Sequence, residues 1–138
     1  VFAAYDAKKY KDAVKAGDDA LKSGYLDIDT HRGLALANRE LGETKKSDFH
    51  KAVYLGLVNS ILASGDGASP KTAYVVIDVG EEYAVLRALE LRRGSQALQT
   101  ADGHKYDVLT VTDPKTNQTR KIYFNIDLVW KGYENIFK

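Results

Sequence analysis

The hydrophobic period of this chain changes once, and the change falls on a turn-rich stretch, Ser-Gly-Asp-Gly-Ala-Ser-Pro-Lys-Thr, from Ser64 to Thr72. Before it, apolar residues recur at the spacing of one helix face. After it, β-branched residues crowd into short runs bounded by turn signals. Helices first and strands second is the pattern of an α+β fold. In a chain of 138 residues one core is expected. The predicted organisation is a single domain: a helical part over 2–63, a connection over 64–72, a strand part over 73–126 and a closing helix over 127–137.

Three helices are predicted before the connection. In the first, Tyr10, Ala13, Val14, Gly17, Ala20 and Leu21 form the apolar stripe, and Ser23-Gly24 ends it. The second starts after an Asp27 or Asp29 cap, carries Ile28, Leu34, Ala37 and Leu41, and stops at Gly42 in the position after the C-cap. The third runs from about Thr44 to Leu62 through Phe49, Val53, Leu57 and Ile61. From Val53 onward it is apolar nearly all round, so cover on more than one side is expected, from the strand part or the closing helix. Glycine inside a helix costs about 1 kcal/mol against alanine. Gly17 and Gly56 are therefore expected at close helix crossings. The wording Tyr10-x-x-Ala13-Val14, then His31-x-x-Leu34-Ala35-x-Ala37-x-Arg39-x-Leu41-Gly42, resembles tetratricopeptide helices. About one and a half such repeats fit, which predicts a helical hairpin plus one further helix.

Four strands, mostly antiparallel, are predicted over Ala73–Val79, Leu91–Thr100, Lys105–Thr112 and Arg120–Ile126. A short helix over Glu81–Leu89 is inserted among them. Ala101-Asp102-Gly103 and Asp113-Pro114-Lys115-Thr116-Asn117 supply the tight turns. The closing helix is predicted to line Trp130, Tyr133 and Phe137 along one face.

Taken together, Ser64-Gly65-Asp66-Gly67, Ser69-Pro70, Thr72-Ala73-Tyr74, Val76-Ile77, Glu81-Glu82-Tyr83, Ser95-Gln96-Ala97-Leu98, Tyr106-Asp107-Val108 and Tyr123-Phe124-Asn125 resemble the bacterial family catalogued as domain of unknown function 4919. The likeness runs from about Tyr10 to Ile126. It implies a fold and a bacterial origin, and it brings no catalytic or binding residue with it. Members of that family carry more residues upstream. Methionine is absent, so Val1 is not an initiator, and either a removed signal peptide or a trimmed chain boundary is expected to account for the missing start. The expected location is periplasmic or secreted, with the cytoplasm as the alternative.

The chemistry is narrowed mainly by what is missing. With no cysteine there are no disulfides, no thiolate nucleophile and no cysteine-based metal site. Charge is balanced, 20 Lys and Arg against 19 Asp and Glu, and the paired cations Lys8-Lys9, Lys45-Lys46 and Arg92-Arg93 are scattered. No nucleic-acid partner is expected from that footprint. No apolar run reaches the length that spans a bilayer. Asp66 lacks the alternating carboxylates of a calcium loop. His31, His50 and His104 lie in separate segments, and the one pairing that can be constructed is His31 with His50, aided by Asp27 or Asp48. A metal site needs three or four converging ligands. The reading is therefore no metal and no cofactor, with His31 packing or capping.

Glu81 and Glu82 stand at the start of a helix, where carboxylates meet the dipole favourably. Asp107 on a strand needs a partner such as Arg87 or Tyr123 if it points inward. Tyrosine is the commonest aromatic, nine against four Phe, and its apolar body with a polar tip suits contact surfaces. The candidate binding residues are Tyr83, Tyr106, Tyr123, Glu81 and Glu82, with no catalytic assignment. The function expected is a non-enzymatic module for a protein or peptide partner, with an inhibitor or immunity-type partner within that class. The alternative is a small hydrolase built on Glu81, Glu82 and Asp107. A cleft holding two or more of those carboxylates would favour the enzyme, and a shallow groove lined by Tyr and Leu the binder.

Overall fold

The computed structural model describes residues 1–136, with side chains described as far as Lys131. The fold is α+β, and the chain divides into two compact units, Val1–Leu57 and Val58–Lys138. The first unit holds α1 (Phe2–Asp6), α2 (Tyr10–Leu21), α3 (Ile28–Glu40) and most of α4 (Thr44–Ala63). The short α1 adds a helix that the periodicity did not separate. Lys8 in a left-handed conformation turns the chain from α1 into α2.

In α3 both ends follow from side-chain and backbone chemistry. Asp27 is the N-cap, its carboxylate accepting from the Thr30 amide at 2.9 Å. At the other end Gly42 takes a φ of +75°, its amide donates to the Arg39 carbonyl, and the Glu43 amide donates to that of Asn38. Those two bonds satisfy carbonyls that the helix leaves open. α2 and α3 pack closely: Ala13 and Gly17 are buried on one side, Ile28, His31, Leu34 and Ala37 on the other. A Cβ on Gly17 would stand 2.6 Å from the Leu34 side chain, so this glycine sits at a crossing as expected. Gly56 does not. Nothing lies within 4 Å of a Cβ built there, and Leu55 beside it is 45% exposed. Among the described residues α4 is therefore not covered all round, although Val58 and Ile61 are buried. Its apolar surplus forms part of an open groove instead.

In the second unit the connection is a set of local turns. Asp66 accepts from the Ala68 amide, the Asp66 and Gly67 amides donate to the Thr72 carbonyl, and Ser69 caps a 3₁₀ turn over Pro70–Thr72. β1 (Tyr74–Val75) is far shorter than the Ala73–Val79 run predicted for it. Asp78 opens α5 (Val79–Ala88) at that point by accepting from the Gly80 amide at 2.7 Å. β2 (Arg92–Ala101), β3 (His104–Thr112) and β4 (Thr119–Asn125) follow, then α6 (Asp127–Ile136). The sheet order is β1-β4-β3-β2, antiparallel except for the β1–β4 pair. Asp102 and Gly103, both with positive φ, form a two-residue hairpin between Ala101 and His104. Of the predicted α6 stripe, Trp130 is described, whereas the side chains of Tyr133 and Phe137 lie outside the described residues.

Strand alternation sorts the sheet into two faces. Asp107, Leu109, Val111, Ile122 and Phe124 share one, and all are buried. Tyr106, Val108 and Tyr123 share the other, packed with Ala73 and Ala101.

Candidate functional site

The residues singled out from the sequence divide between those two faces. Tyr106 and Tyr123 belong to the apolar cluster with Ala73, and Tyr106 is 5% exposed. It is core rather than contact surface. Glu81 turns back along its own helix start, its Oε2 accepting from the Ile77 amide at 3.2 Å. Asp78 at the N-cap accepts from the Gly80 amide, so two carboxylates hold backbone amides around this helix start. Burial, the largest cause, raises the Glu81 proton affinity, partly offset by that amide.

Glu82 behaves differently. It is 2% exposed, and neither side-chain oxygen has a donor. Burial drives its pKa up, and the neighbouring Asp107 adds to the shift against a weaker opposing pull from Arg93, so that it is pushed up to about 9. At neutral pH Glu82 holds a proton that it can donate to Asp107. Asp107, 6% exposed, accepts from Gln96 Nε2 at 2.5 Å, and Gln96 Oε1 accepts from Arg93 Nη2 at 2.6 Å. The Arg93 guanidinium stands 5.1 Å from the centre of the Tyr83 ring. Three sequence candidates, Glu82, Tyr83 and Asp107, thus meet in one network.

Gln96 is the residue that sequence reasoning missed. Asp107 is partnered by it and by Glu82, and Tyr123, one of the two partners anticipated, lies on the opposite face. Gln96 reaches Asp107 because two residues of β2, Gly94 and Ser95, oppose the single Thr110 of β3 in a β-bulge. A Cβ on Gly94 would lie 2.8 Å from the Thr110 carbonyl oxygen, so glycine is required for that approach. A glycine inside a strand pattern was the available signal.

In the helical unit the structure brings His31 and His50 together. Their Nδ1 atoms are 3.0 Å apart, and His31 Nε2 lies 2.6 Å from the Tyr25 carbonyl oxygen. The acid that acts on His50 is Asp18 of α2, neither Asp27, which caps α3, nor Asp48. Among the described residues no group of three or more His, Asp or Glu converges to hold a metal ion.

A recess of about 440 Å³ lies between α3 and α4, lined by Arg32, Leu36, Arg39, Lys51, Tyr54 and Leu55 with Ala35, Thr44, Ser47 and Asp48. Ser47 Oγ donates to the Ala35 carbonyl at 2.7 Å and ties the two walls. Three cations against one carboxylate line a mostly apolar surface. A smaller recess of about 330 Å³ lies at the β2–β3 turn, lined by His104, Lys105, Asp127, Trp130 and Lys131 with Gly103. There Asp127 accepts from the Lys105 amide at 2.8 Å and from His104 Nδ1 at 2.6 Å. The amide first, and the histidine after it, hold its carboxyl below the usual range.

The sequence profile of a domain of unknown function, DUF4919, matches residues 3–135. The chain belongs to the DUF4919 family. The match spans both units of this DUF4919 chain. No curated protein and no solved structure matches the chain. No described helix is long and apolar enough to cross a membrane.

Proposed function

We propose that this DUF4919 chain is a non-enzymatic binding module whose helical unit takes an acidic, partly apolar segment of a partner protein into the groove between α3 and α4. The observation that supports the reading is the composition of that groove. Leu36, Tyr54 and Leu55 offer apolar surface, and Arg32, Arg39 and Lys51 outnumber Asp48. An acidic segment with apolar residues on one side matches both properties. Tetratricopeptide-like pairing of α2 with α3 is part of the same reading, since such hairpins bring small residues to the crossing, as Gly17 meets Leu34. An inhibitor or immunity-type role in a bacterial setting would use a surface of this kind.

The hydrolase reading is the weaker one on burial. A catalytic carboxyl must come within hydrogen-bond reach of its substrate. Glu82 and Asp107 are almost wholly buried and face each other, and Glu81 caps its helix.

Fluorescence anisotropy with a short rhodamine-labelled peptide of Leu and Asp tests the proposal. Binding should weaken about tenfold in an Arg39→Glu/Lys51→Glu double variant of unchanged melting temperature, and it should weaken in high salt. Equal binding of the Lys-for-Asp counterpart peptide would overturn the charge argument. No binding of either peptide would overturn the groove as the site.

A further inference from the structure

The His31–His50 contact fixes where the protons are. A backbone carbonyl only accepts, so His31 Nε2, 2.6 Å from the Tyr25 oxygen, carries a hydrogen. In the neutral ring the other nitrogen, Nδ1, is then an acceptor. His50 Nδ1, 3.0 Å away, must donate to it. Among the described residues that leaves one open lone pair in the pair of rings, on Nε2 of His50. His31 is fully buried and His50 half-buried.

Four positions connect this bridge to the groove. His31 is followed in the chain by Arg32, and His50 by Lys51, both groove residues. One helical turn from each histidine stand Ala35 and Ser47, whose hydrogen bond ties the groove walls. The groups that face the His50 ring are His31 from α3, Asp18 from α2 and, on α4 itself, the edge-on ring of Phe49.

We infer that the His31–His50 bridge is a one-proton latch beside the groove, accepting a single proton without breaking and thereby strengthening the hold on an acidic partner. A proton from solvent adds to the His50 Nε2 lone pair. The Nδ1–H of the resulting imidazolium still donates to His31, so α3 and α4 stay tied. The new positive charge sits one turn of α4 from Ser47, whose bond to Ala35 ties the groove walls, and adds to the positive field of Arg32, Arg39 and Lys51. A second proton has no such place. It would have to occupy His31 Nδ1, setting two N–H groups against each other across 3.0 Å. The half-burial of His50, with His31 beside it, lowers its proton affinity, and Asp18 opposes that shift. The latch therefore operates in mild acid, where an aspartate-containing partner is still ionised.

This inference rests on the groove reading, and one titration separates their failures. With the Leu and Asp peptide, affinity for the wild-type chain should rise about fivefold between roughly pH 7.5 and pH 5.5. His50→Gln keeps an N–H donor for His31 but takes up no proton, so it should bind like the wild type at the higher pH and show no rise. By reciprocity, saturating peptide should raise the pH at which His50 titrates in ¹⁵N NMR spectra. The same spectra should show neutral His50 protonated on Nδ1 and His31 on Nε2. Binding that does not change with pH, a His50→Gln variant that keeps the rise, or His50 found protonated on Nε2 would each overturn the latch and leave the groove standing. Absence of binding at every pH would overturn both.

Discussion

Each unit of this chain sets two like titratable groups against each other, and the two pairs reach opposite outcomes. In the helical unit every nitrogen of His31 has a partner, and the neutral pair closes a chain of donors and acceptors that ends at the Tyr25 carbonyl. In the strand unit Glu82 and Asp107 are acceptors only when ionised, and Glu82 then has no donor at all. Imidazole carries one donor and one acceptor while uncharged, so two of them satisfy each other without added protons. Two carboxylates cannot, so one must stay protonated. The lesson is that burial of like groups is cheap or costly according to whether the neutral form already holds a donor.

The sharpest way to break the comparison is to remove the better-satisfied member. His31→Ala should leave the Tyr25 carbonyl and His50 Nδ1 without their partner and open a cavity, lowering stability by about 3 kcal/mol. Amide exchange of α3 should quicken accordingly, and near-native protection would show that the bridge contributes little.

The carboxyl pair should respond in the other direction. Glu82→Gln supplies a permanent N–H donor to Asp107 and removes the need to hold a proton. It should stabilise the chain at neutral pH by up to about 2 kcal/mol. The folded-state pKa of Glu82 is raised from 4.5 to about 9, so the folded chain binds more protons than the unfolded one between those values. Its contribution is full below the unfolded value and is lost as pH rises through about 9. The gain from Glu82→Gln should therefore grow from acid to alkaline pH in thermal melts, and a pH-independent gain would refute proton retention by Glu82.

The smallest effect has the opposite sign. His50 is held below its ordinary value of 6.5, so its contribution is present above that pH and declines as pH falls through the lowered value. In amide exchange resolved by residue, α3 and α4 should lose less than about 1 kcal/mol between pH 7 and pH 5, an amount that His50→Gln abolishes. Loss of equal size in that variant would point to another group.

Much of the chain was legible before any coordinates. The ends of α3 followed from Asp27 and Gly42, the β2–β3 hairpin from Asp102-Gly103, and the order of helices and strands from the change of period at Ser64. Each rests on bonds between residues close in sequence, which one sequence displays directly. The errors share a cause as well. The sequence overextends β1 because Val76, Ile77 and Val79 have strand character although Asp78 caps a helix there, and it puts Gly56 at a crossing because a stripe does not say which side has a neighbour.

What the sequence determined by itself was therefore local: period, caps, turns, and the absence of thiols and of a basic stripe. Tertiary structure alone decided that Glu82 faces Asp107 while Tyr106 and Tyr123 face away, because a one-residue step along a strand reverses the side chain. It alone decided that Gln96 reaches Asp107, since that depends on a bulge two residues earlier. The meeting of His31 with His50 was constructible from the sequence, but its proton arrangement was not. The Tyr25 carbonyl that orders those protons is a backbone atom, and its position is set by folding rather than by residue type.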